Sequence, residues 1–592
     1  MNASDFIIAS LENQGVKDVF LLPGGGCMYL VDALHRSKVI KAWPLLHEQS
    51  VGIAAEAYSQ YSDSLGIALV TTGPGGTNAL TACAAAWLDS TPVLFISGQV
   101  KTQDNAQTFG VRQLGFQEIP ITEMVQSITK EATRINSVSE LPETLSRLIA
   151  LAKSGRPGPV WLDVPLDVQS SELEDSPLGK ILCINPDLPI PDSLLDKIVD
   201  DWCAANRPIL LLGNGVRLSG ALELSKELIM KSETPCLLTW KALDFLPELN
   251  HLNAGRPGAI AQRWSNFAQQ TSDFILVIGA RLDLGQTAYR PDNFAPRAIK
   301  YVVDIDDNEL KKLKSTGATC IQADAFQFIE QLLQRIELRK DSMSNSLWIK
   351  KIAEWKASYP LLQERHLKPS SGVNLYEFIS ILSNKMTSTD LLVPGSSGAC
   401  SEISMQGFEV KIGQRVLNSE GLGPMGFGIP APIGACIASG FKRTISIDGD
   451  GGFLMNIQEL ATIELHSLPI KIFVLNNGGY GSIKTSQDRY FEGRRLGTDR
   501  STGLAIPSLE PIVRGFGLNY ERIDFRSELE EKIVRILSDD SPAVIEIMVD
   551  PEQQTEPRTY TTISSDGKMQ TAPMENLSPL IDEEVLKIEL SF

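Results

Sequence analysis

Short apolar runs alternate with helix-period stretches along most of the chain. Val19-Phe-Leu-Leu22, Gly66-Ile-Ala-Leu-Val70, Pro92-Val-Leu-Phe-Ile96 and Pro159-Val-Trp-Leu-Asp-Val164 read as strands between helices, and predict a parallel-sheet unit over residues 1–170. Pro208-Ile-Leu-Leu-Leu-Gly213, Phe274-Ile-Leu-Val-Ile-Gly279 and Lys300-Tyr-Val-Val-Asp-Ile-Asp306 predict a second unit over 190–340. A third spans 370–550. Gly155-Arg-Pro-Gly-Pro159 and a proline- and acid-rich linker at 167–189 mark the first boundary, and a charged, helical connector at 344–368 marks the second. The fold class is therefore α/β: three consecutive parallel-sheet domains, the first and third sharing one alternating pattern, plus a C-terminal tail. Residues 551–592 lack sustained periodicity until their end and predict either a lid or a loosely packed tail.

Within the third unit, Ile447 to Tyr480 reads as strand, turn, helix, strand. Asp448 and Asp450 follow one apolar run and Asn476 and Asn477 the next, so both polar pairs fall at the C-terminal ends of adjacent strands, where open α/β sheets bind ligands. A carboxylate and an amide oxygen without Cys or His suit Mg²⁺ or Ca²⁺, and Mg²⁺ commonly combines few protein ligands with phosphate oxygens. Gly449, Gly451 and Gly452 let the backbone approach an anion. A lone Gly-Asp-Gly is usually an ordinary turn; followed at this spacing by paired asparagines it matches the thiamine diphosphate (ThDP) and Mg²⁺ motif.

At 592 residues the chain exceeds one core, and 43% hydrophobic with 21% charged residues is ordinary for a globular protein. A net charge of −18 argues against nucleic acid or an anionic membrane as partner, so an anionic cofactor must be held by local metal and backbone dipoles. The eight cysteines are scattered without a Cys-x-x-Cys pair, which predicts buried thiols rather than zinc or disulfides. The opening Met-Asn-Ala-Ser-Asp-Phe has no charged-then-apolar leader, and the apolar stretches are too short to span a bilayer, so a cytoplasmic location is expected.

Further signals occur in a fixed order: Pro23-Gly-Gly-Gly26, His47-Glu-Gln49, Thr72-Gly-Pro-Gly-Gly-Thr-Asn78, Phe116-Gln-Glu118, Gly421-Leu-Gly-Pro-Met-Gly-Phe-Gly428 and the Gly449 to Asn477 motif. Alone, Glu48 would be a helix-start carboxylate. Together these runs, spanning residues 1–550, resemble the acetolactate (acetohydroxyacid) synthase and pyruvate oxidase-like ThDP enzymes.

The resemblance implies roles position by position. Glu48 would hydrogen-bond the aminopyrimidine ring of ThDP, Met425 would bend the cofactor, and the Gly423 carbonyl would hold its amino nitrogen. Asp450, Asn477 and the Gly479 carbonyl would ligate Mg²⁺, with Tyr480 beside them. Gly395, Ser396 and Ser397 would contact the diphosphate, Pro74 and Asn78 the pyrimidine, and Gln117 and Gly25 the reacting keto acid. The central unit resembles the family's FAD-binding domain through Gly213, Asn214, Gly215, Arg217, Thr239, Gly279, Arg281, Asp304, Ile305 and Asp324, which implies FAD in a structural role. The implied activity is decarboxylation of pyruvate with transfer of its two-carbon unit to a carbonyl acceptor, in a homodimer or homotetramer.

Two departures bear on the acceptor. Where the synthases carry Trp and Glu before an Asp-Arg pair, this chain has Ser486 and Gln487 before Asp488-Arg489, and its diphosphate turn is Gly-Ser-Ser-Gly. Ser486 and Gln487, with Lys484, Arg489, Arg494 and Arg495 nearby, predict a wider, more polar and locally basic pocket. Acceptors thus range from a second 2-keto acid to a keto-sugar nucleotide. A simple decarboxylase or oxidase is the alternative among enzymes, and a silent regulatory paralogue the alternative outside them; intact Glu48, Met425, Asp450 and Asn477 weigh against the latter.

Overall fold

In a computed structural model of the chain, residues 1–173, 188–337, 345–369, 371–396, 398–563 and 569–592 are described. Ser397 and most of the expected 167–189 linker lie outside them. The first unit forms a sheet from β1 (Asp18–Leu21), β2 (Lys41–Pro44), β3 (Gly66–Val70), β4 (Val93–Gln99), β5 (Ala132–Arg134) and β6 (Val160–Pro165), in the order β2-β1-β3-β4-β6-β5. The second contains β7 (Pro208–Leu212), β8 (Cys236–Leu238), β9 (Asn253–Gly255), β10 (Phe274–Ile278), β11 (Ile299–Asp304) and β12 (Thr319–Gln322), ordered β12-β11-β10-β7-β8-β9. The third contains β13 (Leu391–Pro394), β14 (Arg415–Val416), β15 (Thr444–Gly449), β16 (Ile470–Asn476), β17 (Asn519–Ile523) and β18 (Ala543–Met548), ordered β14-β13-β15-β16-β18-β17. Every pairing in these three sheets is parallel.

The first and third sheets share one topology, and the second has the order of dinucleotide-binding folds. In such sheets a crevice opens where successive connections leave in opposite directions. Those points fall between β1 and β3, β7 and β10, and β13 and β15. The strands beside them are buried at nearly every position, as in β3, β4, β7 and β10, because helices cover both faces.

First and third units share one hydrophobic core, in which the helix Glu48–Ser62 packs on the helix Pro430–Ala438. The contact is backbone-close: a Cβ on Gly434 would lie 2.0 Å from the Ala54 carbonyl oxygen. Alanines on both helices permit that approach, and nothing larger than glycine fits at 434.

The end of the chain is not loosely packed. A hairpin of β19 (Thr561–Ile563) and β20 (Met569–Thr571) precedes the helix Glu583–Leu590. Arg263 donates to the carbonyls of Leu577 (3.0 Å) and Pro579 (2.6 Å). Glu589 accepts from Lys351 (3.0 Å), Trp355 (2.7 Å) and Tyr359 (3.0 Å), and Phe592 stacks on Trp348. Ile581, Leu586 and Leu590 pack against the same core beside these polar and aromatic anchors. No described helix is long and apolar enough to cross a membrane.

Candidate active site

The loops after β13, β15 and β16 converge at the third sheet's switch point. Strand register pairs Gly449 with Leu475, which brings Asp450 level with the asparagines at the end of β16. Asp450 is buried, and its Oδ2 accepts the backbone N–H of Gly479 at 2.9 Å. Gly479 sits at φ +150°, and a Cβ there would lie 2.0 Å from the Thr498 carbonyl oxygen, so only glycine holds this turn. Burial pushes the Asp450 carboxyl up to about 6, against the pull of its backbone hydrogen bonds.

The two asparagines separate by role. Asn476 is committed to structure: its Nδ2 donates to Glu546 at 2.5 Å and its Oδ1 accepts the Gly478 N–H at 2.9 Å. Among the described hydrogen bonds none involves the Asn477 side chain, which lies over Gly481 where a Cβ would meet its Nδ2 at 2.5 Å. One buried carboxylate, one uncommitted amide and the backbone of Gly479 form an all-oxygen donor set of the kind Mg²⁺ takes. Among the described residues no group of three or more His, Cys, Asp or Glu converges to hold a metal, and this set requires only one such side chain.

Asp448 organises the turns around that set. Cβ atoms added at Gly395, Gly428 and Gly452 would lie 2.4, 2.3 and 2.4 Å from its carboxylate oxygens, so three chain segments close on one side chain. Burial, helped by the Asp450 charge, pushes its carboxyl up to about 7. The sequence placed Asp448 beside Asp450 without a role; its signal is the set of glycines that surround it.

The remaining third-unit candidates face the same space. The Ser396 Oγ is buried with no hydrogen-bond partner among the described residues. A Cβ on Gly423 would approach the Ser396 carbonyl oxygen to 3.0 Å, and one on Gly398 the Ser482 Oγ to 3.0 Å, so three loops line one cradle. Gly451 leaves room for Tyr480 and Met425, whose side chains would lie 2.2 and 3.2 Å from a Cβ at 451. The Gly423 to Met425 loop is thereby held over the metal-type turn.

The first-unit candidates gather at the β1/β3 switch point. Glu48 begins the helix Glu48–Ser62, is buried, and accepts from the Asn78 amide at 2.9 Å; the structure thus joins two residues that the sequence singled out separately. Pro74 starts the short helix Pro74–Asn78. Gln117 has φ +63°, and its carbonyl would meet a Cβ on Gly73 at 2.3 Å, which locks the Phe116-Gln117 turn against the Pro74 loop. The next residue, Glu118, accepts from the backbone of Ala106 (2.6 Å), Leu114 (3.1 Å) and Gly115 (3.2 Å), a pinning role that sequence reasoning missed. Gly24 and Gly26 pack on Thr71 and Thr72, whereas Gly25 faces open space. No described hydrogen bond joins Glu48, Gln117 or Gly25 to Asp450, Asn477 or Met425. The two units meet nearby instead, where Leu46 N–H donates to Glu459 (3.0 Å) and Ser50 donates to Asn456 (3.2 Å).

In the second unit a cleft of about 1000 Å³, its open mouth included, lies at the β7/β10 switch point. Gly213, Asn214, Gly215, Thr239, Gly279, Arg281, Asp304, Ile305 and Asp324 all line it. Arg217 does not. Its guanidinium is buried against Asp244 (2.7 Å) and over the Phe245 ring, beside a neighbouring cleft bounded by Gln60, Asp63 and Arg415. The ion pair with Asp244 holds it there, and the pair's close contact offsets the cost of burying both charges. Arg156, read from sequence as part of a domain boundary, instead lines the main cleft and bridges units to Asp306 (3.0 Å) and Glu309 (2.8 Å).

The expected acceptor residues lie on the helix Gly481–Tyr490, which buries none of its residues. Ser486 is exposed and donates to the Ser482 carbonyl at 3.0 Å. Gln487 brackets Leu496, donating to its carbonyl (3.2 Å) and accepting its N–H (2.9 Å). The expected basic patch is largely neutralised: Lys484 pairs with Glu552, Arg494 with Glu492, and Arg495 with Asp488. Charge counted along the sequence omitted those carboxylate partners.

Comparison with known proteins agrees with this geometry. Family models described as the N-terminal TPP binding, central, and C-terminal TPP binding domains of thiamine pyrophosphate enzymes match residues 1–124, 195–332 and 396–547. The chain belongs to the thiamine pyrophosphate (ThDP) enzyme family. It is 32% identical over 565 residues to acetolactate synthase isozyme 1 large subunit of Escherichia coli (strain K12), covering 94% of this chain and 95% of that one. It is 32% identical over 569 residues to acetolactate synthase 1, chloroplastic, of Zea mays (93% and 86% covered), and 29% over 578 to the acetolactate synthase large subunit of Lactococcus lactis (95% and 95%). Within the family it is an acetolactate synthase-like enzyme, a ThDP-dependent carboligase that transfers a two-carbon unit.

Proposed function

We propose that the enzyme takes pyruvate as donor and joins its two-carbon unit to a second 2-keto acid, with ThDP and Mg²⁺ as the cofactors that the third unit would hold. The observation that carries this reading is the buried Asp450 carboxylate, tied to Gly479 N–H beside the uncommitted Asn477 amide. When bound, ThDP supplies the electron sink that lets a 2-keto acid lose CO₂ and pass on the remainder. The chain's own groups do the rest. Asp450, Asn477 and the Gly479 carbonyl hold the metal. Ser396, Gly398 and the backbone around them receive the diphosphate. Met425 shapes the cofactor, and the Gly423 carbonyl orients its amino group. Glu48, oriented by Asn78, would hydrogen-bond the pyrimidine ring and serve it as an acid–base group. Gln117 and Gly25 border the keto acid.

Glu48 and Asp450 belong to two separate half-sites, and a two-fold assembly would bring the first unit of one subunit to the third unit of another. The second-unit cleft fits a dinucleotide, and FAD is the occupant its lining supports: glycine turns after β7 and β10, with Asp304 and Asp324 at the ends of the neighbouring strands. Titrating ThDP into the cofactor-free protein by calorimetry tests the core of this reading. Binding should require Mg²⁺, and metal-independent binding of equal affinity would overturn it.

A second acceptor reading rests on Ser486. An exposed hydroxymethyl group leaves the helix Gly481–Tyr490 without a bulky wall, which favours a larger ketone such as a keto-sugar nucleotide. Competition between 2-ketobutyrate and a bulky ketone for the two-carbon unit separates the two.

A further inference from the structure

We propose that Asp89 and Lys241 form a positioning pair that sets the Gly421 to Met425 loop of the thiamine site from the two other units of the chain. This rests on the ThDP reading of that loop. Asp89 caps the helix Leu80–Leu88 of the first unit, and its side chain is fully buried. Its Oδ1 accepts the Gly421 N–H at 2.8 Å and its Oδ2 the Glu420 N–H at 3.0 Å, so one carboxylate holds two consecutive peptides of the third unit. Lys241, from the short turn Trp240–Ala242 of the second unit, donates to the same Asp89 Oδ2 at 2.8 Å and to the Asn418 carbonyl at 2.7 Å. The strand-side and loop-side ends of the segment 418–421 are thereby held by one buried ion pair.

Steric closure reinforces the polar contact. A Cβ on Gly421 would lie 2.6 Å from the Leu88 Cβ and 2.9 Å from the Asp89 Oδ1, so the loop lies flat against the helix end. Two residues on, Gly423 abuts the Ser396 carbonyl, and Met425 reaches over Gly451. A shift at Gly421 therefore reaches both groups that orient the cofactor. Glu56, buried beside the pair with one oxygen unpartnered, and the part-buried Glu420 face the same charges. Burial raises both of these carboxyls. A buried pair of this kind is costly to break and specifies one geometry, which suits a positioning role. Asp89, Lys241 and Glu420 also line the second-unit cleft, so a ligand there touches the same device.

The test uses the full-length holoenzyme and two substitutions, Lys241→Met and Asp89→Asn. Displacement of reacting groups by about 1 Å can cost on the order of a hundredfold in rate, so kcat should fall about tenfold to a hundredfold, with weaker ThDP binding and KM for the keto acid changed less than about threefold. Lys241→Arg should recover part of the loss. Gly421→Ala, which pushes the same loop with both charges intact, should reproduce the kcat and ThDP defects, and it carries the test if either charge variant does not fold. A lower melting temperature with unchanged kcat and ThDP affinity would overturn the proposal, as would a Gly421→Ala enzyme of normal kcat. Failure of the unsubstituted protein to bind ThDP would instead refute the site reading itself.

Discussion

The backbone N–H of Gly479 donates to the Asp450 carboxylate at 2.9 Å, across the ends of two neighbouring parallel strands. That bond aims one carboxylate oxygen at the turn after β16, and the proposed metal site rests on this arrangement. It also fixes the carbonyl of Gly479 relative to the Asn477 amide.

Replacing Asp450 with Ala should therefore leave the fold intact and weaken Mg²⁺-dependent ThDP binding by at least about a hundredfold, more than loss of a supporting contact usually costs. Calorimetric titration of the cofactor-free variant checks this. Unchanged affinity would remove Asp450 from the metal set.

Glu48→Gln keeps the hydrogen bond from Asn78 but removes the acid–base function proposed for Glu48. Turnover should drop by about 10²–10⁴-fold, the usual contribution of a positioned acid–base group, while ThDP affinity stays near normal. Steady-state kinetics beside a ThDP titration separates these effects. A variant that consumes keto acid at the parent rate would exclude Glu48.

Much of the architecture was legible because buried parallel strands read as apolar runs, continuous in β3, β7 and β10 and nearly so in the first half of β4 and in β16. Several strands not singled out are half-exposed: β5 is part-exposed throughout, β12 has one buried residue of four, and β17 one of five; the buried β8 and β18 were also not singled out. Position was legible where the signal was local: Asp450 and the asparagines lie at the ends of adjacent strands. Partner-dependent properties were not legible. Arg217 turns to Asp244, the basic run near Ser486 meets its own carboxylates, and the last residues dock through Glu589 and Phe592. Each depends on residues far away in sequence, to which no periodicity points.

The pH dependence of stability provides a further test. Glu56 is fully buried, and burial, with Asp89's charge, raises its carboxyl from an ordinary 4.5 to about 8, while Lys241 and a hydrogen bond from Gln60 pull the other way. The folded protein then holds a proton that the unfolded chain releases, so stability falls as pH rises from about 4.5 to 8. Glu56→Gln removes that loss. Its melting temperature should exceed the parent's at pH 8 and approach it at pH 5, by scanning calorimetry; an equal offset at both pH values would contradict the assignment.

If sites form between subunits, two inactive variants should complement each other. Random mixing of Glu48→Gln with Asp450→Ala subunits makes half of the dimers mixed, each with one intact site of two, so about a quarter of parent activity should return. Co-unfolding and refolding, followed by an activity assay, measures it. No recovery in verified mixed dimers would place both residues in one subunit's site.

The central claim is carbon–carbon bond formation by a ThDP-loaded enzyme. Incubating the protein, ThDP and Mg²⁺ with ¹³C-labelled pyruvate, with and without 2-ketobutyrate or a bulky ketone, and following products by NMR tests it most directly. Labelled CO₂ should be released and a new bond should join the pyruvate-derived two-carbon unit to an acceptor carbonyl, and both should be lost when ThDP is withheld. Acetaldehyde or acetate as the sole product, with no coupled species for any acceptor, would contradict it.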